Sequence, residues 1–403
     1  MLRSPRRSGL LAALLTVLAV FASATPANAL IVPAPSADAF YRPPSPLPDV
    51  APGTVLRSRP VTVKALAVPV PTTAWQVLYR STNTQGRANA VVATVLVPVT
   101  PWLGGGPRPV VAYNVGSHGL SANCAPSYWL RQGIEYEFAL QSLALAKGWA
   151  VVVSDYEGSA TPNAHTYTAG PATGHAVLDG VRAAQRLSAT GLGQGNPVGL
   201  WGYSEGGLAS AWAAELQPSY APELKVKGVA AGGVVPNIGN VGYKIDGGPL
   251  FGFFVAAAAG LGHAHPEMGL TEFLNDKGRK AFEQVKDMCQ AQWTPLYGFH
   301  RIEEYTTVKD PIQLPRFQKV LAANELGKRT PAGPMYVYQS VNDEIIPIED
   351  ARALARNYCA RGTSVKFTES FVSEHVSLAV TGAPGAVAWL ADRFAGKPAP
   401  STC

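Results

Sequence analysis

Beyond Pro109, short and almost entirely apolar segments alternate with segments of helical pattern. The strand-like segments are 110–115, 150–154, 198–203, 335–340 and 365–371, and the helical patterns that follow them are 135–147, 174–188, 205–215, 348–358 and 384–394. Strands that are apolar along their whole length are buried on both faces, which happens when helices cover both sides of a parallel sheet. We therefore predict an α/β fold with a mostly parallel central sheet and helices on both of its faces.

The chain before Pro109 has a different pattern. Residues 30–60 contain eight prolines and predict an extended arm on the protein surface. Alternating segments at 61–69, 75–81 and 90–99 are rich in Val, Leu and Thr, which predicts antiparallel strands at the edge of the sheet.

The segment 236–332 also interrupts the alternation of strands and helices. It lies between two strand-helix pairs, and it predicts a mainly helical cap inserted over the sheet. The core of the fold would then consist of two parts, 61–235 and 333–403.

A serine stands between two glycines where the strand at 198–203 gives way to a helical pattern. Gly202-x-Ser204-x-Gly206 fits a nucleophile elbow, a turn so sharp that residues beside the serine must lack bulky side chains. A chain with 40 glycines can contain such a pattern by chance, so its context decides.

A serine nucleophile needs a base within hydrogen-bond reach and an acid that orients the base. In hydrolases with a nucleophile elbow, the acid and then the histidine follow the serine in the chain. His375 is the one histidine that follows a late strand, since the others either precede the serine or fall in the proposed cap: His118, His165, His175, His263, His265 and His300. Asp343 is predicted as the acid because it ends the preceding strand, and Glu344 and Asp350 are the alternatives.

The developing oxyanion of such a reaction needs two backbone N–H donors. The residue after the serine, Glu205, supplies the first. The second is expected from the loop after the strand at 110–115, from His118 or Gly119.

Several short motifs together resemble the secretory lipase family of α/β-hydrolases, and the likeness runs from about Phe40 to near the C-terminus. The motifs are N-C-A-P-S-Y at 123–128, D-Y-E-G at 155–158, V-L-D-G-V-R-A at 177–183, G-Y-S-E-G-G at 202–207, N-D-E-I-I-P at 342–347 and S-E-H at 373–375. The resemblance implies Ser204 as nucleophile, Asp343 as acid and His375 as base, with the amides of His118 and Glu205 as the oxyanion hole. It also implies lipids or other acyl esters as substrates, a lipid–water interface as a partner, and no cofactor.

Four cysteines, Cys124, Cys289, Cys359 and Cys403, favour two disulfides in an exported chain, and three pairings are possible. No two of them are spaced as a metal clip, so no metal site is expected. The family resemblance implies that Cys124 pairs with Cys289 and Cys359 with Cys403.

Residues 1–29 are predicted to be an export signal, with a basic start, an apolar stretch and a small-residue cleavage site at 27–29. A retained membrane anchor is the alternative, and Arg6-Arg7 leaves the general and twin-arginine routes open. Removing this segment takes away three arginines and lowers the net charge from +6 to +3. Because no basic cluster remains, nucleic acid is not an expected partner.

The most apolar stretch of the remaining chain is G-P-L-F-G-F-F-V-A-A-A-A-G-L-G at 248–262, which is too short to cross a bilayer. It predicts either a buried helix of the cap or a lid that offers Phe251, Phe253 and Phe254 to an acyl chain. The predicted function is that of a triacylglycerol lipase or lipid esterase. An acyltransferase, a serine peptidase and a non-catalytic binding protein are the alternatives.

Overall fold

Nine strands form the central sheet within residues 32–66 and 68–403, the part of the chain that the computed structural model describes. The export signal expected at 1–29 lies outside the described residues. In chain order, the strands of the sheet and of a separate hairpin are β1 (Val55–Val61), β2 (Lys64–Ala65), β3 (Val68–Pro69), β4 (Thr72–Thr82), β5 (Ala88–Pro98), β6 (Val110–Asn114), β7 (Ala150–Ser154), β8 (Val198–Tyr203), β9 (Val226–Gly232), β10 (Met335–Ser340) and β11 (Val365–Ser370).

The sheet has the strand order β1-β4-β5-β7-β6-β8-β9-β10-β11. From β7 to β11 in this order all neighbours are parallel, while β1, β4 and β5 pair antiparallel at one edge. The predicted mostly parallel sheet is thus confirmed. The strand expected at 61–69 is instead the end of β1 followed by the β2–β3 hairpin, because the chain turns back so that the Val70 N–H donates to the Val63 carbonyl.

Helices cover both faces of this sheet. They are α1 (Pro126–Gln132), α2 (Phe138–Ala146), α3 (Gly170–Arg186), α4 (Glu205–Tyr220), α5 (Ile238–Ile245), α6 (Phe251–Ala264), α7 (Asp276–Val285), α8 (Gln290–Tyr297), α9 (Pro315–Ala323), α10 (Ile348–Ala360), α11 (His375–Thr381) and α12 (Ala383–Phe394). Alternate residues of a strand point to opposite faces. On β8, Gly199 faces Leu390 of α12, whereas Gly202 faces Gly206 of α4.

Part of the N-terminal segment, for which a surface arm is predicted at 30–60, is packed against the rest of the protein, while most of its residues are exposed or half-buried. Strand β1 begins inside it at Val55, and Tyr41 is only 1% exposed. The Asp38 carboxylate forms ion pairs with Arg59 at 2.7 Å and with Arg131 at 3.2 Å. Proline spacing predicted the lack of regular structure here, but these distant ionic partners dock the segment.

The helices α5 to α9 occupy the connection between β9 and β10. They enclose a hydrophobic cluster that includes Phe251 and Trp293, and Leu120 and Tyr167 from loops of the core pack into it. A second cluster surrounds Phe317 of α9. Every helix within 32–66 and 68–403 is too short or too polar to cross a lipid bilayer.

Candidate active site

Ser204 lies at the junction of β8 and α4 with a backbone φ of 60° and ψ of −121°. This positive φ is unusual for a residue with a side chain, and it stands the hydroxyl out from the turn. The tightness of the turn explains the flanking glycines. A Cβ atom at Gly202 or Gly206 would collide with the backbone of Asn114, at the end of the neighbouring strand β6.

Three side chains from separate elements form one chain of hydrogen bonds at the carboxyl edge of the sheet. Nδ1 of His375 lies 2.7 Å from Oδ2 of Asp343, and Nε2 lies 3.0 Å from Oγ of Ser204. A carboxylate can only accept, so Nδ1 is the protonated nitrogen and Nε2 is free to accept the serine proton. His375 and Asp343 are buried, whereas Ser204 is partly exposed.

The acid position has three candidates from the sequence, and one of them meets the imidazole. Oδ1 of Asp343 accepts the N–H groups of Ile345 and Ile346 at 2.9 and 2.8 Å, and Oδ2 also accepts from Gln339. These bonds fix the carboxylate in place beside the ring. Glu344 instead accepts the backbone N–H of His375 at 3.0 Å.

Asp350, the third candidate, lies in α10 and accepts from Asn240 at 2.8 Å. Neither it nor Glu344 bonds the imidazole ring.

The loop after β6 runs beside Ser204. An added Cβ at Gly116 would lie 3.9 Å from the Ser204 Cβ. The N–H of Gly116 is already donated to Glu137 at 2.8 Å, so the amides of Ser117, His118 and Gly119 are the next donors along this loop. The first N–H groups of a helix have no intrahelical acceptor, which leaves the amide of Glu205 available as well.

The ring of His118 points away from the serine into a buried ion pair. Nε2 lies 2.9 Å from Oε1 of Glu135, and Nδ1 lies 2.9 Å from the Gly116 carbonyl oxygen. Burial alone would lower the pKa of His118, but the Glu135 carboxylate, together with Glu137 and the Gly116 carbonyl, more than offsets burial and raises this pKa to about 9. The ring also stacks on Tyr136 with centroids 4.5 Å apart. A charged His118 therefore anchors the proposed oxyanion loop.

Replacing Glu135 with glutamine should destabilise the fold in a pH-dependent way. The folded-state pKa of His118 is raised above its ordinary value of 6.5, so its stabilising contribution is complete below pH 6.5 and is lost as pH rises through 9. We expect Glu135→Gln to lower the free energy of unfolding by on the order of 3 kcal/mol at pH 6 and by much less at pH 10.

Urea denaturation at both pH values measures this difference. The control is Glu283→Gln, which removes the exposed pair with Lys286 and should change the free energy of unfolding little at either pH. An equal loss at pH 6 and pH 10 for Glu135→Gln would show that the ion pair is not the cause.

A largely apolar cavity of about 140 Å³ leads from Ser204 into the segment between β9 and β10. Phe251, Phe253 and Phe254 line it, as do Ile238, Leu261, Phe282, Tyr305, Ile312 and Phe317. Phe251 and Phe254 stack with ring centroids 5.3 Å apart. Helix α6 is therefore a packed helix on one side and a wall of the cavity on the other. Whether its phenylalanines contact an acyl chain, as predicted for 248–262, belongs to the proposed function below.

The cavity contains polar groups that the sequence did not predict. Glu205 is buried beside Ser204, and the hydroxyl of Tyr167, which also lines the cavity, forms a hydrogen bond of 2.5 Å with Ser117 behind it. No sequence pattern indicated a buried acid at position 205, because the first turn of a helix is an ordinary place for an exposed glutamate. Within 32–66 and 68–403, no group of three or more His, Cys, Asp or Glu side chains is arranged to hold a metal ion.

Two disulfides join Cys124 to Cys289 and Cys359 to Cys403, which are the pairs that the family resemblance implies. The first links the loop after β6 to the segment between β9 and β10. Gly119 packs directly against this bridge, where a Cβ would meet the Cys289 Cα and the Cys124 sulfur.

The sheet, the elbow and the order of Ser204, Asp343 and His375 along the chain place this protein in the α/β-hydrolase class. The sequence profile of the secretory lipases matches residues 128–402, and the chain belongs to that family.

Relatives extend over nearly the whole chain. A protein of Mycobacterium tuberculosis described as a probable inactive lipase is 38% identical over 378 residues, which are 90% of this chain and 83% of that protein. Lipase A of Arthroderma benhamiae is 37% identical and covers 90% of this chain and 80% of its own length. The solved structure of Candida antarctica lipase A in its closed state superposes with a TM-score of 0.83, at 29% identity, and covers 92% of this chain and 90% of its own.

Proposed function

We propose that this protein is an exported serine esterase that hydrolyses the carboxylic esters of lipids, as a triacylglycerol lipase does. The observation that carries the proposal is the unbroken path of hydrogen bonds from Ser204 through His375 to Asp343. Export rests on the interpretation of 1–29 as a signal and on the secretory family. We further propose that 236–332 acts as the cap and that 61–235 and 333–403 form the catalytic core.

The geometry supports an acyl-enzyme mechanism. Oγ of Ser204 attacks the ester carbonyl carbon while Nε2 of His375 accepts the hydroxyl proton, and Asp343 stabilises the imidazolium that forms. The amides of Glu205 and of His118 or Ser117 donate to the oxyanion. The imidazolium then gives its proton to the departing alcohol. A water molecule, deprotonated by His375, attacks the acyl-enzyme and releases the carboxylic acid, which restores the serine hydroxyl.

The cavity supports a lipid acyl group as the part of the substrate that the enzyme holds. It opens at Ser204, and its walls are aliphatic and aromatic side chains of the cap. An apolar chain that enters such a cavity leaves water, which stabilises the bound state by about 0.8 kcal/mol per buried CH₂.

Replacing Phe253 and Phe254 together with serine should shift the preference toward short acyl chains. The two rings line the cavity, and hydroxyl groups in their place would keep water in contact with a long chain. We expect kcat/KM for p-nitrophenyl palmitate to fall about 100-fold and for p-nitrophenyl butanoate less than about fivefold. A matched control is Phe371→Ser, because Phe371 is exposed and lies outside the lining of this cavity. Equal losses for both esters would remove the cavity's proposed role.

A fluorophosphonate probe and a graded series of p-nitrophenyl esters test the function directly. Covalent labelling at Ser204 together with ester hydrolysis is expected. Product analysis with added glycerol distinguishes hydrolysis from acyl transfer, and peptide amides test the peptidase alternative. If the protein neither reacts with the probe nor hydrolyses any ester, the result favours the non-catalytic binding protein. This outcome is tested because the relative from Mycobacterium tuberculosis is described as a probable inactive lipase.

A further inference from the structure

One carboxylic acid lines the cavity, and one of its oxygens lacks a partner. Glu205 is 5% exposed, and its Oε1 is buried without any hydrogen bond. Among the described residues that line the cavity, no other has a buried side-chain nitrogen or oxygen in this condition. An unpartnered buried oxygen is costly, and it marks a position where a ligand can supply the missing bond.

The surroundings of Glu205 keep its carboxyl neutral. Burial raises the pKa of Glu205 to about 8, against the smaller lowering effects of the His118 imidazolium and the Ser117 hydroxyl, while Glu137 adds to the rise. The other titratable groups that face it are the phenols of Tyr136, Tyr156 and Tyr167. A neutral carboxyl has one oxygen that accepts hydrogen bonds and one O–H group that donates them, so the unpartnered oxygen can take either role toward a ligand.

We propose that Glu205 is a specificity-determining residue that forms a hydrogen bond with a hydroxyl group on the acyl chain, close to the ester carbonyl. The preferred substrates are accordingly esters of hydroxy fatty acids. This inference rests on the proposed function, since it assigns a substrate class to the same site.

The position of Glu205 decides which part of the substrate it meets. The backbone amide of Glu205 is the proposed donor to the oxyanion. The carboxyl of the same residue is therefore close to the position that the carbonyl of the bound ester would take. It lines the cavity together with Ser204 and Leu208, at the end where the first carbons of an acyl chain would lie. The remaining walls are apolar, which suits a hydrocarbon tail beyond a single hydroxyl.

The neutral state of the carboxyl determines the chemistry of the partner. A carboxylate would attract an ammonium group, whereas a neutral acid has no charge to offset the cost of burying one. An ether oxygen can only accept, so it suits one of the two roles of the neutral carboxyl. A hydroxyl group can donate to the free oxygen or accept from its O–H, and it is the smallest uncharged group that can do both.

The test compares three methyl esters: octanoate, 3-hydroxyoctanoate and 3-methoxyoctanoate. Hydrolysis is followed by acid release at pH 7 in the full-length protein and in Glu205→Leu and Glu205→Gln. We expect the ratio of kcat/KM for the hydroxy ester to that for octanoate to fall about tenfold in Glu205→Leu and to be retained in Glu205→Gln, whose amide oxygen still accepts. The methoxy ester, which can only accept a hydrogen bond, should gain less preference than the hydroxy ester.

Binding to Ser204→Ala and to Ser204→Ala/Glu205→Leu, measured by calorimetry with the same esters, gives a readout that does not need turnover. About tenfold tighter binding of the hydroxy ester that is lost in the double variant supports the inference. If the binding preference for the hydroxy ester over octanoate is the same in Ser204→Ala and in Ser204→Ala/Glu205→Leu, the inference is overturned. Equal preference for the hydroxy and methoxy esters also overturns it. If no ester is hydrolysed by the unmodified protein, the proposed function fails, while the binding ratios still decide the role of Glu205.

Discussion

Ser204→Ala should lower kcat for p-nitrophenyl esters by at least about 10⁴-fold. In the proposed mechanism the hydroxyl oxygen attacks the ester, and without it the neighbouring amides and the cavity would supply only the residual catalysis that positioning gives. Alanine fits the space of serine and keeps the same backbone conformation, so the melting temperature should change little.

Steady-state assays with p-nitrophenyl butanoate measure the fall in kcat, and fluorophosphonate labelling should disappear in the same sample. If kcat falls by less than about tenfold, or if labelling persists in the variant, another nucleophile performs the reaction.

Asp343→Asn should cost about 10⁴-fold in kcat. The present carboxylate accepts from Nδ1 of His375 at 2.7 Å and so leaves Nε2 to take the serine proton. An asparagine whose oxygen keeps the bonds to Ile345 and Ile346 would turn its NH₂ toward the ring and reverse the tautomer. The same NH₂ would also face the donating amide of Gln339.

The matched control for this change is Asp350→Asn, seven residues further along the chain. Asp350 bonds Asn240 and not the imidazole, so its replacement should alter kcat less than about twofold. Circular dichroism of both variants checks that each is folded. If Asp350→Asn is as damaging as Asp343→Asn, the acid has been assigned to the wrong residue.

The sequence predicted the parallel part of the fold because its signal is local. Strands β7, β8 and β10 begin and end at the predicted residues, since each is an apolar run bounded by polar or glycine-containing segments. Strand β9 was missed. Its sequence, V-K-G-V-A-A-G, has small residues and only two β-branched ones, so burial between β8 and β10 decides its structure rather than its own preference.

The residues of the candidate site that have a fixed order along the chain could be predicted from the sequence. The contacts that depend only on how the chain folds could not. The order of serine, acid and histidine selected His375, and the helix that this residue begins, α11, was not predicted. Glu374 caps this helix through the N–H groups of Val376 and Ser377, and glutamate is not a residue that usually signals a helix start. The pairing of His118 with Glu135 spans a loop and a helix start and has no sequence pattern.

The bridge between Cys124 and Cys289 has a mechanical consequence for how substrate enters. The proposed cap, if it were attached only through its two chain ends, could rotate away from Ser204 as a rigid body. The third covalent attachment, beside the proposed oxyanion loop, removes that freedom along one margin. We therefore expect that, in the proposed reaction, admission of a lipid displaces the segment between β9 and β10 least beside this bridge, where the proposed oxyanion donors lie.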